Sequence, residues 1–290
     1  MESMCRLTTP EGSNVIYLRR PGKVASGLSP LLLIHGAASN MTRWTEFTQT
    51  TALTANRDVI SIDLRGHGRS LYRGRIGLEI WGDDIAALLH RENCPRAVLI
   101  GHCLGANVAM MFAARHPRLT AGVVLVEPML RQAFIGKLAR LSRMSLPVKA
   151  MIAVIRILNS MGLYRRRLAS LDLYELDKVF RAGLEQPGGG AALERRYASV
   201  WHDLKIMPSA NYLQDLLEVT RPLPLDKMRA PFLALLSTGR TFVDPDVSAA
   251  LLSALPSGEI HTLDAKHWIP TEQPRLMREF IDAWVAKLTV

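Results

Sequence analysis

Cys103 occupies the middle of Gly101-His102-Cys103-Leu104-Gly105, between an apolar run at 97–100 and a helical pattern at 106–115 that Pro117 closes. A side chain carried on so tight a strand-to-helix turn needs small flanking residues, and it stands clear of the sheet edge where a carbonyl group can approach. The next backbone N–H, that of Leu104, then points at the carbonyl oxygen. A second apolar run at 30–34 ends in His35-Gly36, which would bring the N–H of Ala37 opposite that of Leu104 and complete an oxyanion hole. A thiol at a helix N-terminus is drawn toward thiolate by the partial positive charge there. Attack by such a sulfur on an ester or thioester would give an acyl-S-enzyme, released to water or to another acceptor. The plainer alternative for Cys103 is a small buried thiol, free cysteine being among the most buried residue types.

The elements that must hold this turn follow from the hydrophobic pattern. Short apolar runs at 30–34, 59–63, 97–100, 121–126, 232–236 and 259–263 read as buried strands, and helical patterns cover 106–115, 247–255 and 274–288. Strands alternating with helices imply a mostly parallel central sheet with helices on both faces. From Met129 to Asp226 there is no comparable strand, only helix-like stretches, a loop at Pro187-Gly188-Gly189-Gly190 and closing prolines at Pro222 and Pro224. This predicts an α/β core at 1–128 and 229–290 with a helical cap inserted at 129–228.

Four motifs in order carry a resemblance that spans nearly the whole chain. They are Leu32-Leu33-Ile34-His35-Gly36, Asp63-Leu64-Arg65-Gly66-His67-Gly68-Arg69-Ser70, the turn around Cys103, and Asp264-Ala265-Lys266-His267-Trp268. In order and spacing the chain resembles the α/β-hydrolase superfamily, in the form of a cap-containing member with cysteine where most relatives carry serine. The resemblance implies His267 as the base. It leaves the acid open. Relatives usually carry it three residues past a glycine after the penultimate strand, where Gly239-Arg240-Thr241-Phe242 has phenylalanine and Asp244 and Asp246 fall later. Another branch carries it one strand earlier, where Val124-Leu125-Val126-Glu127-Pro128 offers Glu127. His35, Trp44, Phe242 and Trp268 fall in or beside loops at the C-terminal sheet edge, where ligands bind in open α/β folds, so they are candidate substrate contacts, with core packing the alternative for the three aromatic residues. Met144, Met151, Met161 and Met207 could line an acyl pocket beneath the cap, or simply pack helices.

Composition bounds the remaining options. Of 290 residues 48% are apolar and 21% charged, a balance that supports a buried core and excludes disordered and fibrous architectures. Three cysteines without repeat spacing argue against a disulfide framework or zinc site, so a reducing, cytoplasmic setting with no metal or cofactor is expected. The net charge is +10, concentrated at 131–167, where nine Lys/Arg meet no Asp or Glu. No nucleic-acid motif accompanies it. The segment suits coenzyme A, an acidic carrier protein or peripheral contact with an anionic membrane. The sequence thus points to a small-molecule acyl substrate, to hydrolysis or to acyl transfer from a coenzyme A or carrier thioester. A non-catalytic binding or membrane-surface protein on the same fold is the alternative of another class.

Overall fold

A computed structural model describes residues 2–24, 27–184 and 189–288. Eight strands form one sheet in the order β1-β2-β4-β3-β5-β6-β7-β8: β1 (Ser3–Thr8), β2 (Asn14–Arg20), β3 (Leu31–Ile34), β4 (Val59–Ile62), β5 (Ala97–His102), β6 (Thr120–Val126), β7 (Phe232–Ser237) and β8 (Gly258–Leu263). β1 and β2 pair antiparallel, as do β2 and β4; all later pairings are parallel. The parallel strands coincide with the six runs, but the last, expected to be buried, is the edge strand β8 with only Leu263 buried. The sequence pattern gives no sign of β1, which lies at the sheet edge with only Leu7 buried and no apolar run; β2 does carry one, Val15-Ile16-Tyr17-Leu18, which the reading above leaves out.

The alternation of side chains divides the core in two. Leu32, Ile34, Leu99, Val123 and Ala234 face the helices Leu78–Arg91 and Leu104–Arg115, while Leu31, Leu33, Val98, Val124 and Leu233 face Phe47 and the helix Pro274–Ala286. Strands buried on both faces must be apolar at every position, which is why they read as continuous runs. The helix Leu78–Arg91, which the sequence pattern did not single out, buries Leu78, Trp81, Ile85 and Leu88 on one stripe.

Between β6 and β7 the described residues contain only helices: Gly136–Leu141, Ser145–Ser160, Leu173–Leu184, Gly189–Tyr197, Val200–Ile206 and Ser209–Val219. The expected loop at 187–190 is corrected in part. Gly189 opens a helix, and Pro187 and Gly188 lie outside the described residues.

Candidate active site

The turn after β5 is as tight as its glycines require. A Cβ on Gly101 would lie 2.2 Å from the Gly105 carbonyl oxygen, and one on Gly105 only 2.3 Å from that of Ile34. Cys103 adopts φ 55° and ψ −118°, a backbone conformation costly for a residue with a Cβ and held here by its surroundings. Its N–H donates to the Val126 carbonyl at 2.9 Å, and its own carbonyl accepts from the N–H of Ala106 at 3.0 Å. The side chain is half-buried above the N-terminus of the helix Leu104–Arg115. The loop after β3 presses against it, since a Cβ on Gly36 would lie 3.3 Å from the Cys103 Cβ. Ala37 therefore follows a residue packed directly on the sulfur-bearing turn.

His267 follows β8 and is buried to 2% exposure. Its Nδ1–H donates to Glu127 Oε2 at 2.9 Å, and the Cys103 side chain lines the same cavity, near enough to interact with the ring. Burial disfavours charge on the ring, but the neighbouring Cys103 and Glu127 more than offset it and push the imidazole up to about 10. Glu127 leaves β6 with φ 52°, and its second oxygen accepts the backbone N–H of Ser237. The Phe242 and Trp268 rings meet His267 edge-on, at 4.8 and 5.5 Å between centroids. Glu272 fixes the backbone of this loop, accepting the N–H groups of Lys266, His267 and Trp268 at 2.9–3.3 Å. No sequence motif marked Glu272; an acid five residues after the histidine, closing a short helix, is the signal to look for.

Of the two candidate acids, the fold brings Glu127 to His267. Asp244 instead caps the helix Pro245–Ser253, accepting from the N–H groups of Asp246 and Val247, and pairs with Arg240 at 2.5 Å. Two candidate substrate contacts are corrected. His35 is buried with Nδ1–H on the Gly36 carbonyl and Nε2 accepting the Leu64 N–H, so its ring braces two loops and does not line the cavity. Trp44 is fully buried against Phe47 in the core. Met144, Met151 and Met161 are at least half exposed, and Met207 is buried beside a neighbouring cavity; none lines the space over Cys103.

That space is a cavity of about 180 Å³ walled by Ala37, Arg43, His102, His267 and Trp268 below and by Leu171, Arg196, Tyr197, Asp203 and Tyr212 above. Arg43 is buried, pairs with Asp177 at 2.6 Å, donates to Thr271 at 2.8 Å and lies over the Tyr197 ring. Asp177 belongs to the helix Leu173–Leu184, so this ion pair ties the inserted helices to the loop after β3. Burial pushes the Asp203 carboxyl up to about 7, only partly opposed by Arg196. The sequence did not flag these polar residues, because partners such as Arg43 and Asp177 are 134 positions apart. A second buried histidine–carboxylate contact, His67 to Asp215 at 2.7 Å, joins the turn after β4 to the helix Ser209–Val219. The rest of that turn is structural: Asp63 accepts from the N–H groups of Met41 and Arg69, and Arg65 pairs with Asp84.

Residues 31–280 match the model of the alpha/beta hydrolase family. An sn-1-specific diacylglycerol lipase of Mus musculus is 24% identical over 257 residues, spanning 88% of this chain and 80% of its own. A protein named "Probable alcohol acetyltransferase" from Saccharomyces cerevisiae is 23% identical over 280 residues, spanning 89% and 77%. The crystal structure of a hydrolase from Pseudomonas aeruginosa superposes with a TM-score of 0.66 at 21% identity, covering 98% of each chain, a likeness of fold.

Proposed function

Because this chain belongs to the alpha/beta hydrolase family, we propose that it is an esterase-type enzyme in which Cys103, His267 and Glu127 form the catalytic triad. The observation that carries the reading is the placement of His267 beside both the Cys103 side chain and the Glu127 carboxylate, on the wall of the cavity. In the proposed cycle His267 holds the proton of the sulfur, and the sulfur adds to the carbonyl carbon of an ester or thioester. The N–H groups of Leu104 and Ala37 take the charge on the tetrahedral oxygen, and His267 returns the proton to the departing alcohol or thiol. Water, activated by the same imidazole, then cleaves the acyl-sulfur bond. The helices of 129–228 serve as the cap, contributing Leu171, Arg196, Tyr197, Asp203 and Tyr212 to the acyl site. Trp268 and Phe242 form the wall beside the base.

A second reading keeps the same intermediate but passes the acyl group to an alcohol. The name of the yeast relative and the thioester's high transfer potential favour it, and coenzyme A or an acidic carrier protein would be the donor that the basic segment at 131–167 attracts. The test is mass spectrometry of the intact protein after brief exposure to a short-chain p-nitrophenyl ester and to an acyl-coenzyme A. An added acyl mass on Cys103, absent in Cys103→Ala together with turnover, is the expected result. Full turnover in Cys103→Ala would overturn the assignment. Absence of both turnover and labelling in the wild type would turn the reading toward a binding protein. Product formed with added alcohol, at the expense of free acid, would choose transfer over hydrolysis.

A further inference from the structure

The helix Ser145–Ser160 is apolar on two opposite sides and packed on only one. Val148 and Ile152 are buried against Ala210 and Leu217 of the helix Ser209–Val219. On the far side Leu146 is 78% exposed, Val154 56%, Ile157 60% and, just past the helix, Met161 69%. These positions are eight, three and four residues apart, so they run as one stripe along the helix surface. Large exposed apolar side chains scattered singly need no explanation, but a continuous stripe of them marks a surface built to leave water.

Charge around the stripe says what covers it. None of the nine Lys/Arg at 131–167 forms an ion pair among the described residues, whereas Arg19, Arg43, Arg65, Arg221 and Arg240 elsewhere all do. A second copy of the chain laid on this face would set one unpaired basic segment against another. A soluble acidic partner would account for the cations and leave the apolar stripe unused. An apolar stripe bordered by unpaired cations matches the surface of an anionic bilayer, where side chains enter the acyl boundary and cations stay among the phosphates. No described helix is long and apolar enough to cross a membrane, so the contact is superficial.

We propose that the helix Ser145–Ser160 and the basic segment around it dock this protein onto anionic lipid. The roof of the catalytic cavity lies close to this surface. The Arg165 guanidinium donates to the Leu204 carbonyl at 2.5 Å, joining the basic segment to the helix Val200–Ile206. That helix presents Asp203 and Ile206 to the cavity and leaves Val200 and Trp201 exposed, Trp201 at 77%. Docking therefore sets the roof of the active site beside the lipid, which suits an acyl substrate drawn from the bilayer.

Lipid docking is independent of the catalytic assignment, and binding alone is measured. The full chain is sedimented with vesicles of phosphatidylcholine, with or without about 30 mol% phosphatidylglycerol, at roughly 0.1 M and 0.5 M salt. Partition onto the anionic vesicles only, weakened at high salt, is expected. Lys149→Gln/Arg166→Gln/Arg167→Gln should weaken it by about 10- to 100-fold, from the value of each cation near an anionic surface. Leu146→Ser/Val154→Ser/Ile157→Ser should weaken it by at least about tenfold through lost apolar burial. All six positions are exposed, so melting curves should match the wild type and show that both variants fold. Equal binding by the serine variant, no binding by the wild type, or a concentration-dependent dimer abolished by the serine changes would each overturn the proposal.

Discussion

Exchanging Glu127 for glutamine keeps the shape of the side chain and removes half of its accepting capacity. In the wild type two donors converge on the carboxylate, the Ser237 backbone N–H on one oxygen and the His267 Nδ1–H on the other at 2.9 Å, and the group is 2% exposed, so water cannot substitute. An amide has one oxygen. The Ser237 N–H is a fixed donor, whereas the imidazole can exchange tautomers, so the amide oxygen should turn to Ser237 and its NH₂ to His267. Nδ1 must then accept, and the ring can carry one proton but not two. It has no room for the proton of Cys103. The expected loss in kcat/KM on a soluble ester is about 10²- to 10⁴-fold, the scale of a base held in the wrong tautomer. The accompanying loss of stability is smaller, about 1–3 kcal/mol, for weakened hydrogen bonding in a buried site. Glu127 also contributes to holding the His267 pKa near 10, above the ordinary 6.5. The stability contributed by a raised histidine is complete below about pH 6.5 and lost as pH rises through about 10. The stability gap between wild type and variant should therefore be widest in acid and narrow across that window, as measured by urea unfolding. Glu127→Gln within threefold of wild-type kcat/KM at pH 7 would refute the tautomer argument and, with it, the role of this carboxylate.

Asp244→Ala should leave kcat/KM unchanged and lower Tm by about 2–4 °C, the cost of one lost helix cap, in a thermal melt. A fall in activity comparable to that of Glu127→Gln would transfer the orienting role to Asp244. Asp203 faces the cavity with its pKa raised to about 7, so it is neutral below that pH and charged above it. KM for an anionic acyl ester should rise as pH passes 7 in the wild type and stay flat in Asp203→Asn; parallel profiles would remove Asp203 from the acyl site. Asp177→Ala leaves Arg43 buried and unpaired, and unfolding measurements should show a loss of about 3–5 kcal/mol. Glu272→Ala frees three backbone N–H groups around His267, so the rate of Cys103 acylation should fall while KM changes little; unaltered acylation would limit Glu272 to stability.

The sheet and the turn around Cys103 were legible because local physics encodes them. Strands covered on both faces have to be apolar throughout, and a side chain raised on a strand-to-helix turn has to be flanked by glycine, since a Cβ at Gly101 or Gly105 would strike backbone oxygen. Each constraint acts within a few residues and leaves a contiguous trace. β1 left none: an edge strand with one buried side chain needs no apolar run. The choice between Glu127 and Asp244 was not local either. Both follow a parallel strand, and the sheet order decides it by setting β6 beside β7, so that Glu127 reaches Ser237 and His267 while Asp244 turns to a helix end. Trp44 and His35 stand in loops at the sheet's C-terminal edge, yet both side chains turn into the protein because packing and backbone hydrogen bonds hold them there. The helices inserted between β6 and β7 are where sequence said least about the site. They were evident from the absence of strands, but which of their charges are paired and which face the cavity depends on contacts made across more than a hundred residues, as Arg43 and Asp177 do. A one-dimensional pattern records the need to be buried; it does not record with what.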